Sequence, residues 1–556
     1  MLQQFQNQTH TKTELKMATT TTSEEEEYMQ NLRSKATELF IREEWTNAIE
    51  TYSHFITLCT HHLSVPHPNP LHHQKLHKSL CISLCNRAEA KSKLREFNSA
   101  LEDCDHALQI DATHFKSLVC KGKILLCLNR YSMALNCFKT AMLGNQASGN
   151  CEMLVGFVEK CKKFEFLSRS GTMDLSDWVL NGFPGKAPEL AEFIGAVEIR
   201  KSEISGRGVF TTKNVDAGSL ILVTKAVAME RSILGGKDLS EDTQLVMWKN
   251  FIDKVVDFVK KCHKTRNLIG KLSIGENEDE LDVPDVDLFR PENVGEVNSN
   301  EDVEIDMVKL LAILDVNSLT EDAVSANVLR KNNDCYGVGL WLLPSFVNHS
   351  CCPNARRLHV GDYLIVHASR DLKAGEEITF AYLDPLSPLN KRKELSVTWG
   401  ILCKCKRCKF EGEFLLSKQE VKEIEIGIER GMDVGGLVYK LEEQMKRWKV
   451  RGKEKGYLRA SFWSLYSEAY GSERCMKRWG RRIPALDAVV DSITDVVGGD
   501  HRVLKILMEE LKRKGGGSGG GNLEMEKVFK LAREVYGKVV KKQAMRTLLE
   551  LCIAAE

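Results

Sequence analysis

The sequence reads as a multidomain α and α+β protein: an N-terminal α-helical repeat solenoid, a β-rich central fold split by a helical insertion, and a C-terminal helical region. Three observations lead there. A 34-residue self-similarity runs through the first 150 residues, short β-like runs begin near residue 195, and the pattern turns helical again from Leu415. At 556 residues the chain exceeds what one hydrophobic core supports, so several domains are expected. With 43% hydrophobic and 28% charged residues it is globular rather than disordered. The formal net charge of +1 argues against whole-surface attraction to nucleic acid or membrane, and direct nucleic-acid binding is not expected. The 18 cysteines lack the framework of a secreted disulfide scaffold, and no apolar signal core or membrane-length apolar run is present. A nuclear or cytoplasmic location is expected, neither secreted nor in the membrane.

The elements follow in order. Residues 1–27 are rich in Gln and Thr and then acidic, which predicts a disordered tail, and Met17 would serve as a start as well as Met1. Over residues 28–165, Leu94, Phe97, Ala100 and Ala107 recur 34 residues later as Leu128, Tyr131, Ala134 and Ala141. That period and its small-residue positions match a tetratricopeptide helix pair. An earlier unit holds Ala36, Trp45, Ala48 and Tyr52; Ala48 to Ala100 is 52 residues, one period of 34 plus an 18-residue insertion. The insertion, His61 to Lys78, carries His61, His62, His67, His72, His73 and His77 among prolines and reads as a solvated loop rather than a metal site. Three stacked repeats present a concave groove for a peptide or partner protein.

Residues 166–194 read as a linker, with Gly171, Gly182, Pro184, Gly185 and Pro188. Over 195–230 the period changes to strands at Val197–Ile199, Gly208–Phe210 and Leu220–Val223. A helical and acidic insertion spans 231–329, and its carboxylate-rich stretch from Glu276 to Asp306 reads as a solvated loop. Strands return over 330–384 at Tyr363–His367 and Glu377–Tyr382, a cysteine segment occupies 385–412, and residues 413–556 are helical with a flexible break at Gly515–Gly521.

Chemistry gathers at Pro344–Asn354, where an apolar approach ends in Asn348, His349, Ser350, Cys351 and Cys352. Asn348 and His349 supply amide and imidazole hydrogen-bonding groups. Upstream, Gly206 and Gly208 flank Arg207 in a turn where missing side chains admit a ligand close to the backbone. Downstream lie Gly375 to Tyr382 and the thiols Cys403, Cys405 and Cys408 among Lys404, Lys406, Arg407 and Lys409, cations that favour the metal-binding thiolate. Three thiols leave a tetrahedral zinc site one ligand short.

The ordered set Gly-Arg-Gly-Val-Phe, Asn-His-Ser-Cys-x-Pro-Asn, Gly-Glu-Glu-Ile-Thr-Phe-x-Tyr and Cys-x-Cys-x-x-Cys resembles the SET-domain protein-lysine methyltransferases over residues 195–412, and more narrowly their SET-and-MYND relatives. The resemblance implies transfer of a methyl group from S-adenosylmethionine to a lysine of a protein substrate. Gly206, Arg207, Gly208, Asn333, Asn348, His349 and Tyr382 would then contact the cofactor, with Tyr382 also at the reacting centre. Cys351 would complete a zinc site with Cys403, Cys405 and Cys408, leaving Cys352 at a variable position, and Trp399 would line the lysine channel. Two departures stand out: no MYND finger is present, since Cys262 and His263 stand nearly alone, and the N-terminal repeats are an addition. A lysine with pKa about 10.4 is neutral about once in 2,500 at pH 7, so supplying the free amine costs about 4 to 5 kcal/mol. Tyrosine, itself protonated at pH 7, suits orienting that amine better than deprotonating it. The rival expectation is a tetratricopeptide adaptor whose SET region no longer turns over.

Overall fold

The computed structural model describes residues 25–64, 70–144, 151–233, 241–276, 281–293, 306–321, 335–398, 400–415, 418–514 and 521–554. The chain divides into two compact units, Met1–Phe166 with Val259–His263, and Leu167–Phe258 with Lys264–Glu556. Among the described residues no helix is long and apolar enough to cross a membrane.

The first unit is built of helical hairpins: α1 (residues 25–41) with α2 (Trp45–Ser64), α3 (Pro70–Lys93) with α4 (Phe97–Ile110), and α5 (Phe115–Cys127) with α6 (Tyr131–Gly144), followed by α7 (Cys151–Ser170). The repeat positions are the packing positions. Ala36, Ala48, Ala88, Ala100 and Ala134 are all fully buried, and at Gly122 an added Cβ would lie 2.7 Å from the Phe138 ring. Small residues there let paired helices approach closely. Each hairpin turns through one left-handed residue, Glu43, Arg95 or Asn129, and closes with a bond from the next amide back five residues. Those bonds are Glu44 N–H to the Leu39 carbonyl (3.0 Å), Glu96 N–H to Lys91 (2.9 Å) and Arg130 N–H to Leu125 (2.9 Å), the Schellman arrangement.

The described residues of the His-rich insertion are helical rather than a loop. They lengthen α2 to carry His61 and His62, and α3 to carry His72, His73 and His77, while His67 lies outside the described residues. His62 and His72 lie 3.8 and 3.2 Å from the carboxylates of Glu25 and Glu26 of α1, and Pro70 sits at the first position of α3, where proline fits a helix start.

The stretch read as a linker is packed instead. It includes helix α8 (Ser176–Leu180), buries Met173, Leu175, Val179 and Phe183, and is tied to the chain's far end by Leu175 N–H to the Val539 carbonyl (2.7 Å). Its glycines mark turns, with Gly171, Gly182 and Gly185 all at positive φ.

The β-rich fold is made of small sheets. Strands β1 (Phe193–Ile194), β4 (Leu220–Lys225), β10 (Tyr363–Ala368) and β9 (Ala355–Val360) form one in that order. β2 (Val197–Lys201) pairs antiparallel with β3 (Arg207–Thr211). β5 (Ala228–Ile233) and β6 (Leu319–Thr320) flank β7 (Cys335–Leu340), so the insertion leaves and re-enters the fold on neighbouring strands. The last pair, β8 (Asn348–His349) and β11 (Thr379–Phe380), is parallel and only two residues long, where a strand through Tyr382 is expected from sequence. It aligns Asn348 with Thr379 and His349 with Phe380, laying two of the motifs side by side.

Within the insertion, α9 (Glu241–Lys261), α10 (His263–Ile269) and α11 (Met307–Asn317) are helical. Part of the acidic stretch packs rather than dangles: Phe289 meets the Phe346 ring edge-on at 5.5 Å, and Arg290 donates to the Ile194 carbonyl (3.1 Å). After the SET motifs come α12 (Leu389–Thr398), α13 (Lys406–Leu415) and a helical region from Gln419 onward.

Candidate active site and metal centre

Asn348 sits where the end of β2, the start of β3 and the run into β11 converge. Its Nδ2 lies 3.0 Å from the Arg207 carbonyl, 3.1 Å from that of Ser205, 3.2 Å from Ser202 Oγ and 2.8 Å from Glu377 Oε1. Two amide protons face four acceptors, so the cluster holds more acceptors than the Asn348 amide can satisfy. Ser202 Oγ also donates to the Glu377 carboxylate, 2.8 and 2.9 Å from its two oxygens.

Gly208 explains this clustering. A Cβ built there would fall 2.3 Å from Glu377 Oε1, so the glycine admits that carboxylate beside the backbone. Gly206, at φ 45°, makes the turn that an L side chain resists. Arg207 is buried and its guanidinium turns toward the insertion, donating to the carbonyls of Lys271 (2.8 Å) and Asp282 (2.9 Å) and lying over the Phe346 ring. What Arg207 offers the Asn348 neighbourhood is its backbone carbonyl.

Tyr382 is held three ways. Its hydroxyl donates to the Val347 carbonyl (2.7 Å), its N–H donates to His349 Nδ1 (3.0 Å), and its ring leans on His349 and Phe380 with centroids 5.3 and 5.5 Å away. The side chain is 36% exposed, the largest opening among the motif's aromatic residues. Desolvation, partly offset by Arg357, pushes its hydroxyl up to about 12, so it stays a donor through the physiological range. His349 is buried, and its other nitrogen, Nε2, lies 3.3 Å from Cys351 Sγ. Both ring nitrogens are thus engaged within the protein, whereas the sequence reading turns the imidazole toward a cofactor. Asn354, also buried, donates to the Glu377 carbonyl (2.7 Å) and accepts from Thr379 N–H (2.8 Å), tying the two motif segments together.

Cys351, Cys403, Cys405 and Cys408 bring their sulfurs within 4.8 Å of one another, and Cys351 and Cys408 are 3.5 Å apart. Tetrahedral zinc with Zn–S near 2.3 Å needs sulfur separations of about 3.8 Å, so the set fits one ion. Cys352 lies outside that group. Hydrogen bonding among the thiols, chiefly with Cys351 for the other three and with Cys403 for Cys351, holds Cys403 and Cys405 below the ordinary thiol range and Cys351 and Cys408 above it.

The cation against the sulfurs is not one of the lysines beside them. Arg392 Nη1 lies 3.1 Å from Cys408 Sγ, and its other end pairs with Glu411. Arg407 is fully buried, binding Glu411 (3.0 Å), the Cys351 carbonyl (3.3 Å), the Pro385 carbonyl (2.6 Å) and Ser461 Oγ (2.7 Å). Arg392, Ser202 and Glu377 are the site residues the sequence reading misses; the Gly-Glu-Glu run was the available signal for Glu377. Asn333 and Trp399 lie outside the described residues.

Residues 206–383 match the SET domain family model. A protein named "Methyltransferase" from Gibberella zeae is 28% identical over 347 residues, covering 59% of this chain and 46% of that protein. Histone-lysine N-methyltransferase SMYD3 of Homo sapiens is 34% identical over 118 residues, 20% of this chain and 25% of that protein. The chain therefore spans less than half the length of either relative. The solved structure titled "TPR2B-domain:pHsp70-complex of yeast Sti1" is 19% identical, covering 24% of this chain and 96% of its own, with a TM-score of 0.20. Residues 206–383 of this chain are a SET domain.

Proposed function

We propose that the chain is a protein-lysine N-methyltransferase that uses S-adenosylmethionine, holds a zinc ion on Cys351, Cys403, Cys405 and Cys408, and docks its substrate or a partner protein on the helical repeats. The observation carrying this reading is the meeting of three distant segments: the Asn348 amide on the Arg207 carbonyl, and the Tyr382 hydroxyl on the carbonyl of Val347, the residue before Asn348.

The residues fit a cationic cofactor. Carbonyls of Ser205 and Arg207 and the Glu377 carboxylate offer more acceptors than Asn348 can satisfy, which suits an ammonium or sulfonium group. S-adenosylmethionine, when bound, supplies an electrophilic methyl group. Tyr382, protonated and anchored, orients the lysine amine. The zinc is structural, because four thiolates fill a tetrahedral site and leave no open position. The relatives named for histone-lysine methylation support a nuclear place of action.

The test incubates purified protein with labelled cofactor and a lysine-peptide array. Label should appear on lysine and fall by about 100-fold or more in Tyr382→Phe, with cofactor affinity held within about threefold. Calorimetric cofactor binding without transfer to any peptide would overturn the enzyme reading and favour an adaptor.

A further inference from the structure

Tyr382 lies on a short span, residues 381–383, between two anchors. Upstream, Phe380 is paired with His349 where β8 meets β11. Downstream, the Asp384 carboxylate accepts from both terminal nitrogens of Arg502, at 3.0 and 2.6 Å, and Arg502 belongs to the helix His501–Lys514 of the C-terminal region. A two-point guanidinium–carboxylate pair fixes direction as well as distance, which a single charge contact does not. Arg502 is itself aimed. The buried Asp500 carboxylate accepts from Arg502 N–H (2.9 Å), Nε (3.1 Å) and Nη2 (3.1 Å), and Arg356 Nη2 of β9 meets it at 3.5 Å. Two glycines admit the turn that leads into Asp500. A Cβ on Gly498, at φ 72°, would fall 2.7 Å from Ser369 Oγ, and one on Gly499 would fall 2.7 Å from Glu534 Cβ. Ser369 in turn donates its N–H to the carbonyl of Asn354 (2.9 Å), so the turn leans on the segment that ties the motifs together.

We propose that Arg502 is a positioning residue for Tyr382, acting through Asp384 to hold the stretch of backbone that carries the reacting group. The C-terminal helices are then part of the working site rather than a separate module. Asp384 can pass the constraint on because its oxygens also accept from Leu386 N–H and Ser387 Oγ, both at 2.9 Å, which closes the turn that follows. Arg407 on the Pro385 carbonyl (2.6 Å) and Arg392 Nε on the Ser387 carbonyl (3.0 Å) hold the same turn from its far side. With its side chain partly open to solvent, Tyr382 is not fixed by packing on every side, and its backbone carries that task. The Arg502 and Asp384 side chains keep 39% and 37% of their surface, so the pair adds little to global stability and changing it leaves the chain folded. The kinetic arm of the test rests on the methyltransferase reading; the spectroscopic arm does not.

The test uses the full chain labelled with 13C-carbonyl alanine and 15N-tyrosine, in which only Tyr382 and Tyr470 follow an alanine. Tyr470 is the control, because its carbonyl accepts from Arg513 of the same helix as Arg502 (2.9 Å) and its amide reports whether that helix has kept its seat. Arg502→Lys keeps a positive charge but loses the two-point grip. It should shift the Tyr382 amide, leave Tyr470 in place, and lower kcat about tenfold with KM for the cofactor within about twofold. Asp384→Asn should shift the same amide and lower kcat by a similar factor, and adding Arg502→Lys to it should cost less than about a further twofold. Losses that multiply across the two changes would mean that Arg502 does not act through Asp384, and would overturn the proposal. An unmoved Tyr382 amide in Arg502→Lys, or joint movement of both amides, would overturn it as well. Should the Tyr382 amide alone respond while no peptide is methylated by the unaltered chain, the transferase reading falls and the positioning of Tyr382 by Arg502 stands.

Discussion

The Glu377 carboxylate occupies the space that a side chain at residue 208 would need, and this contact decides what the glycine-rich turn is for. Gly208→Ala would push a methyl group to 2.3 Å from Oε1, displacing the carboxylate from Ser202 and Asn348. Losing those bonds to a charged acceptor should weaken cofactor binding by about 1.5 to 3 kcal/mol, roughly ten- to hundredfold. In a Glu377→Ala background the same change should cost little, and calorimetry on the four proteins of the cycle measures the coupling. Additive losses would sink the explanation. Tyr382, Asn348 and the four cysteines are legible in sequence because their motifs are distinctive and ordered. Ser202, Glu377 and Arg392 are not, since serines, glutamates and arginines are common and Ser202 meets Glu377 only across 175 residues of chain. For His349 the residue is found but its direction is not, because orientation depends on which neighbours claim each nitrogen.

At the scale of elements, the repeat is the most readable feature, and its turns show why. Burial of Ala48, Ala100 and Ala134 follows from spacing alone, whereas strands such as β5 and β9 escape notice because they alternate poorly and draw their stability from paired neighbours. The insertion in the repeats misleads for a different reason: prolines and histidines suggest a loop, yet Pro70 stands at the first position of α3, where its missing N–H costs a helix nothing. The three Schellman turns use Glu43, Arg95 and Asn129 at φ near 60° where glycine is easiest. Asparagine tolerates this region better than arginine. Arg95→Gly should therefore raise unfolding free energy by about 1 kcal/mol, and Asn129→Gly by only a few tenths, read from urea midpoints. Equal effects, or destabilisation by Arg95→Gly, would show that the arginine side chain contributes more than the backbone strain costs. The buried set Arg392, Glu411 and Arg407 is stricter still. Removing the shared carboxylate in Glu411→Ala should destabilise by about 3 to 5 kcal/mol, because two buried guanidinium groups lose their partner. A thermal midpoint within about 2 °C of wild type would count against that account.

For the larger unit as a whole, the C-terminal helices share a core with the SET fold rather than trailing from it. Arg502 grips both oxygens of Asp384, two residues after Tyr382, at 3.0 and 2.6 Å, and Gly498 packs against Ser369. Burial works to raise the Asp500 carboxyl, but Arg356 and Arg502 outweigh it and hold the group well below the usual carboxylate range. Deeper in the same junction, His367 of β10 lies 3.2 Å from the Glu534 carbonyl. Desolvation pushes the Glu534 side chain from 4.5 up to about 7 and His367 from 6.5 down to about 4. The signs oppose each other. Between pH 4.5 and 7 the folded chain keeps a proton on Glu534 that the unfolded chain has released, so stability falls as pH rises. Between pH 4 and 6.5 the unfolded chain protonates His367 and the folded chain does not, so stability rises with pH. Over the shared window the two slopes largely cancel. Glu534→Gln removes only the falling one, so the variant should match wild type at pH 4, gain stability steadily through pH 6.5, and exceed wild type at pH 8 by on the order of 2 kcal/mol. Urea unfolding of both proteins at pH 4, 6 and 8 measures the difference. Coincident curves at pH 8 would mean that Glu534 reaches solvent when ionised and that this junction does not set the pH dependence of the fold.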